Sequence, residues 1–87
     1  MNISFSNVEF SRNSGHFSCL LADVTLGEAR GYLFASKAPY ENTYKASIQL
    51  EGTPFSFQGA NVSRSVAVIE AAAAAARFMT EYPQFFE

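Results

Sequence analysis

The chain has 87 residues, 48% hydrophobic and 16% charged, which excludes a disordered chain and gives one domain: two halves of this length could not each bury a core unaided. A single cysteine excludes an intramolecular disulfide, and a zinc cluster assembled from Cys19, His16 and carboxylates is a poor donor set. Six basic residues against eight acidic ones leave a net charge of -2, which weighs against binding driven by phosphate neutralisation.

Ile3 and Phe5 share one parity and Val8 and Phe10 the other, a slip near Ser6-Asn7 that points to a bulge or a break in the first strand. Asn13-Ser14-Gly15 signals a turn, a second strand runs over about residues 16–25, and Leu26-Gly27 closes it. Residues 28–36 read as a third strand, with Ala29, Gly31, Leu33 and Ala35 on one face and Arg30, Tyr32, Phe34 and Ser36 on the other. A loop anchored by Pro39 follows over 37–42. Tyr44, Ala46, Ile48 and Leu50 alternate with Lys45, Ser47 and Gln49 as a half-buried fourth strand; Glu51-Gly52 turns the chain, and Phe55 and Phe57 mark the fifth.

Gly59-Ala60-Asn61 is expected to break the sheet, and Ser63 to cap a helix over about 63–80 that carries Val66, Ile69 and the alanines of 71–76. Val62 is placed to staple back near Ala67. Alanine combines high helix propensity with small size, which lets the backbone sit close to the sheet, opposite Ala29, Gly31 and Ala35. Pro83 ends the helix and leaves Gln84-Phe85-Phe86-Glu87 as a tail. The expected class is α+β: an antiparallel meander of four or five strands with one C-terminal helix packed on one face.

The second strand is apolar on both faces, Phe17, Cys19 and Leu21 on one and Leu20, Ala22 and Val24 on the other. One helix covers one face, so the other is expected to be closed by curling of the sheet, by a second copy or by a partner. Leu20, Ala22 and Val24 are the expected protein interface, with Phe85 and Phe86 as aromatic anchors; the alternative for the two phenylalanines is that they fold back over the sheet.

Tyr44, Ile48, Leu50 and Gly52, the turn glycine Gly59, and then Ser63, Ala67, Ala71, Ala72 and Ala75 fall at the spacing of a strand, turn and helix that resembles a double-stranded-RNA-binding domain over about half the chain. The resemblance implies lysines at the helix start that reach phosphates and a loop residue that enters the minor groove. The matching positions here hold Arg64, Ser65 and Val68 at the helix and Tyr40 in the loop, and Lys37 stands where the family has glycine. The family's first helix has no counterpart, since the N-terminal third reads as strands. A scaffold of this kind stripped of most RNA ligands is expected to bind protein rather than duplex RNA.

No catalytic residue, cofactor or metal is expected. His16 and Cys19, three apart on a strand, point to opposite faces; Glu41 and Glu51 lie at opposite ends of the fourth strand; Glu9, Asp23 and Glu28 read as solvated charges. Gly27, Gly31, Gly52 and Gly59 are isolated and build no phosphate-cradling loop. Asn2-Ile3-Ser4 and Asn61-Val62-Ser63 match glycosylation sequons, but the N-terminus shows no secretory signal, so the expected location is cytoplasmic, and no segment is apolar for the ~20 residues a bilayer requires. Size, mild acidity and lack of chemistry fit a small non-catalytic protein-interaction module, by type among phage- or mobile-element-encoded inhibitors of host nucleic-acid machinery such as anti-CRISPR proteins, acting as a homodimer or docked on a larger macromolecule. The alternative is a duplex-RNA-binding module that uses Lys37, Tyr40, Lys45 and Arg64 as a reduced basic surface; a third is an enzyme subunit whose chemistry lies on another chain.

Overall fold

A computed structural model describes residues 3–12 and 18–86. Five strands, β1 (Ile3–Arg12), β2 (Ser18–Leu26), β3 (Ala29–Lys37), β4 (Tyr44–Leu50) and β5 (Ser56–Asn61), pair antiparallel in sequence order. Helix α1 (Arg64–Glu81) and a short 3-10 helix (Pro83–Phe86) complete an α+β fold. Alternation selects the core: Val24 and Leu26 of β2, Leu33 and Ala35 of β3, Tyr44, Ala46, Ile48 and Leu50 of β4 and Phe57 of β5 are all buried on the helix side.

The slip in β1 is a bulge. The register jumps from Ser6 opposite Asp23 to Glu9 opposite Leu21, so Asn7 and Val8 share the place opposite Ala22. Asn7 takes a φ of 52°, which asparagine tolerates better than most residues, and its Nδ2 donates to Asp23 Oδ2 at 2.7 Å. The inserted residue restores parity, so that Phe5, opposite Val24, and Phe10, opposite Leu20, project to the same side of the sheet.

Helix α1 lays Ala67, Ala71, Ala75 and Met79, an i, i+4 stripe, against the sheet. It packs on β5 and β4 and only brushes β3. Contrary to the sequence expectation, Gly59-Ala60-Asn61 does not break the sheet: β5 continues to Asn61. Gly59, rather than Ala29, Gly31 or Ala35, is the small residue the helix needs, since a Cβ there would press on the Ala67 carbonyl oxygen and lie 2.6 Å from Glu70 Cβ. A glycine that reads as a turn in isolation is here a helix contact.

At the N-terminus of α1, Ser63 Oγ accepts from the Val66 N–H at 3.5 Å, and Asn61 Oδ1 accepts from the Ser63 N–H at 3.0 Å. The sequon residues thus shape the helix start. Val62 is exposed and makes no staple, because the cap turns it toward solvent. Replacing the cap, Ser63→Ala, is expected to cost about 0.5–1 kcal/mol in urea denaturation with an unchanged m-value, the long Oγ contact placing it at the lower end for caps; no change in midpoint would remove the cap from the account of helix stability.

The tail does not trail. Beyond Tyr82, whose N–H reaches the Phe78 carbonyl at 2.8 Å, the 3-10 helix turns Phe86 into the core, and the Glu28 N–H donates to the Phe86 carbonyl at 2.9 Å. Gly27, at a φ of 62°, makes this docking possible, because a side chain there would collide with the Phe86 carbonyl at 2.9 Å. Phe78 lies at the centre of an aromatic cluster, with ring centroids 4.9 Å from Phe55 and Tyr82, 5.2 Å from Phe57 and 5.9 Å from Phe86.

Candidate functional site

Five strands spaced about 4.8 Å apart make a sheet about 19 Å wide, whereas one helix with its side chains covers about 10 Å. Half the helix-side face and all of the opposite face are therefore left to other devices. The expected interface on β2 is placed in the core: Ala22 and Val24 are 6% and 2% exposed, and Leu20 is half-buried on the same side. The reason lies in the pairing. A two-residue turn at Gly27-Glu28 sets Val24, Ala22 and Leu20 opposite Gly31, Leu33 and Ala35, the apolar set of β3, so both sets share the helix side. Leu20, Ala22 and Val24 thus have little or no free surface to offer a partner. Phe86 is likewise buried, at 5%, while Phe85 is half-exposed with its ring 5.3 Å from Phe55.

The bare face belongs to the other parity. Leu21 and Phe34 stand directly opposite each other on β2 and β3, and Tyr32 lies two residues along β3; they are 44%, 44% and 52% exposed. Cys19, half-buried, shares that face, while His16 and Phe17 lie outside the described residues. Charges of both signs border the patch: Glu9 faces Leu21 across β1, Asp23 faces Tyr32, and the Tyr32 hydroxyl donates to Glu51 Oε1 at 3.4 Å, while Arg30, opposite Thr25, and Lys45, opposite Ser36, stand on the same face. Ser47 and Gln58 extend the face beyond Phe34 toward β5. An apolar centre with a polar rim of three carboxylates and two cations matches the general arrangement of protein interfaces.

The basic candidates gather at one end of the sheet. Lys37 closes β3, Tyr40 is fully exposed in the following loop, Lys45 begins β4, and Arg64 opens α1 just beyond Asn61, which pairs with Tyr44. Their charges are partly engaged. Lys37 Nζ donates to the Glu41 carbonyl at 3.2 Å, Lys45 pairs with the Glu41 carboxylate at 3.6 Å, and the Arg64 guanidinium lies 4.1 Å over the Phe10 ring. Among the described residues no group of His, Cys, Asp and Glu is arranged to hold a metal, and no helix is long and apolar enough to cross a membrane.

Sequence reasoning kept Leu21 as part of the alternative face of β2 and did not join it to Tyr32 and Phe34 as a surface. A signal existed in β3, where Gly31, Leu33 and Ala35 are the plausible core parity and Tyr32 and Phe34 the other; propagating that parity across the Gly27 turn assigns Leu21 to the outside. Comparison of the chain with known protein families, curated proteins and solved structures finds no match.

Proposed function

We propose that the protein is a small non-catalytic interaction module that docks, through the bare face of its sheet, on a protein partner with an apolar centre and a basic rim. The observation that carries this reading is the Leu21, Tyr32 and Phe34 cluster in the middle of a sheet face, where aromatic and aliphatic groups are left half in water. Burying such a cluster returns roughly 25 cal/mol for each Å² removed from solvent, and aromatic residues are enriched among the few that dominate interface energies. Three carboxylates at its border, Glu9, Asp23 and Glu51, outnumber the two cations Arg30 and Lys45 on the same face, a slight acidic excess that favours a basic surface opposite. Proteins that handle nucleic acid present such surfaces, which is the sense in which the chain fits an inhibitor of nucleic-acid machinery of the anti-CRISPR type.

A second reading uses the end of the sheet where Lys37, Tyr40, Lys45 and Arg64 assemble, with nucleic acid as the ligand. The Glu41 contacts and the net charge of -2 oppose it.

The two readings part in one experiment. Phe34→Glu is expected to keep the circular dichroism spectrum and to weaken a complex reconstituted with the purified partner by more than about tenfold, a loss of about 1.4 kcal/mol or more. Arg64→Glu is expected to leave it within about threefold, and duplex RNA to bind no tighter than the roughly 10⁻⁴ to 10⁻⁶ M of non-specific contacts. An unaffected complex in Phe34→Glu sinks the first reading. Submicromolar RNA binding, steeply salt-dependent and lost in Arg64→Glu, establishes the second.

A further inference from the structure

Glu70 projects from α1 to the outer edge of β5, where neutral donors hold its carboxylate: the Ala60 N–H reaches Oε1 at 3.2 Å and Asn61 Nδ2 reaches Oε2 at 3.4 Å. These bonds fix the group without cancelling its charge. Among the described residues no lysine or arginine pairs with it; Lys45 pairs with Glu41, and the Arg64 guanidinium lies over Phe10. Each carboxylate oxygen keeps a lone pair for a further donor.

Beside this charge a trough of about 710 Å³ opens onto the bare face of the sheet. Its shape follows from the strand pairing. Phe34, Ser47 and Gln58 stand in one row across β3, β4 and β5, and Ser36, Lys45 and Ala60 stand in the next. The small side chains of Ser47 and Ala60 form a floor between the half-exposed Phe34 ring on one flank and Glu70 on the other. From β3 to β5 the floor is two strand spacings wide, about 9.6 Å. An apolar wall, hydroxyl and amide oxygens, and then a fixed carboxylate suit an apolar stem that ends in a cationic donor. Arginine fits this order better than lysine, because its planar fork engages both oxygens of a carboxylate and its guanidinium packs against aromatic rings.

We infer that the trough is a socket for one arginine of the protein partner, its stem laid along Phe34 over Ser47 and Ala60 and its guanidinium on Glu70. The inference rests on reading the bare face as a docking surface, and it gives the basic rim of the partner a definite position at the β5 edge. Lys45 also borders the trough, with its ammonium engaged by Glu41 at 3.6 Å. Arginine is among the residues enriched where interface energy concentrates.

The probe is N-acetyl-arginine methylamide, titrated into isotope-labelled protein and followed by amide chemical shifts. Saturable shifts are expected at the Ala60 N–H and at the side-chain amides of Gln58 and Asn61, with a dissociation constant of about 10 mM, since one side chain lacks the rest of an interface. The blocked citrulline, equal in shape but neutral, and the blocked lysine are each expected to bind more than about fivefold more weakly. Glu70→Gln, which keeps an oxygen for the Ala60 N–H and loses the charge, is expected to weaken arginine binding by more than about fivefold with an unchanged circular dichroism spectrum. Ala60→Leu, which raises the floor and leaves the charge, is expected to weaken it to a similar extent. An absence of saturation by about 200 mM overturns the proposal, as do equal affinities for arginine and citrulline or binding unaltered in both variants. Saturable binding of adenosine monophosphate at the same amides assigns the trough to an anion beside Lys45 and overturns it too. A partner complex lost in Phe34→Glu but intact in Glu70→Gln and Ala60→Leu strikes out the socket and leaves the docking face standing. Glu70-dependent arginine binding in a protein whose complex ignores Phe34→Glu does the reverse.

Discussion

Gly59→Val is expected to lower stability by about 3 kcal/mol or more, the high end of what overpacking costs, because the atoms in the way are backbone rather than flexible side chains. A Cβ at this position meets the Ala67 carbonyl oxygen, Glu70 Cβ at 2.6 Å and the Ala71 amide nitrogen at 2.8 Å. None of these moves alone. The first two turns of α1 must lift from β5, and the lift exposes Ala67 and Ala71 and loosens the Glu70 contacts with Ala60 and Asn61. At roughly 0.05–0.15 kcal/mol per residue the whole domain is worth about 4–13 kcal/mol, so the variant loses a large share of it. Thermal melting is expected to shift down by about 10–20 °C, against less than about 3 °C for the neighbouring and exposed Ala60→Val. Equal melting of the two variants would falsify the close approach of helix and strand.

Phe86→Ala is expected to act on the fold. The ring is buried, packs beside Phe78 at 5.9 Å and sits at the residue whose carbonyl receives the Glu28 N–H, so truncation leaves a cavity in the core at a cost of about 3–5 kcal/mol. Phe85→Ala, one position away and 45% exposed, is expected to cost about 1 kcal/mol. Urea titrations of the two variants decide between anchor and core. If Phe86→Ala keeps wild-type stability and loses only partner binding, the residue is an anchor and its buried position is not the one it holds in the free chain.

Strand β4 was legible from its own residues, since Tyr44, Ala46, Ile48 and Leu50 alternate with polar neighbours and all four are buried. The irregularity in β1 was legible too, since two pairs of apolar residues of opposite parity call for a bulge or a break, and the pairing with β2 shows which of the two it is. The helix was legible from its cap and its alanines. Gly59 was not, for a physical reason: the lack of a side chain serves a turn and a close contact equally, and only the position of the helix tells them apart. Phe86 was hidden because four residues after a proline have no periodicity to read, and its partners, Gly27 and Glu28, are nearly sixty positions away. The choice between the Leu20 and Leu21 parities was open to single-strand reasoning, since both sets are apolar; pairing with β3 breaks the tie. The exposed apolar face was therefore placed one residue away from where it lies, which in a strand is the other side of the sheet.

Ile3 faces Leu26 at one side of the Gly27 turn, and Phe86 is bonded to Glu28 at the other. The two extremities of the described fold thus meet at a single pole, and the loop holding Tyr40 lies at the opposite pole. A short glycine-rich linker between them would turn the chain into a ring that can be reopened at the Tyr40 loop, so the order of its elements is open to circular permutation. Cargo fused at either extremity emerges from the Gly27 pole, and the far pole, with Lys37, Lys45 and Arg64, stays free to be presented on a surface or a bead.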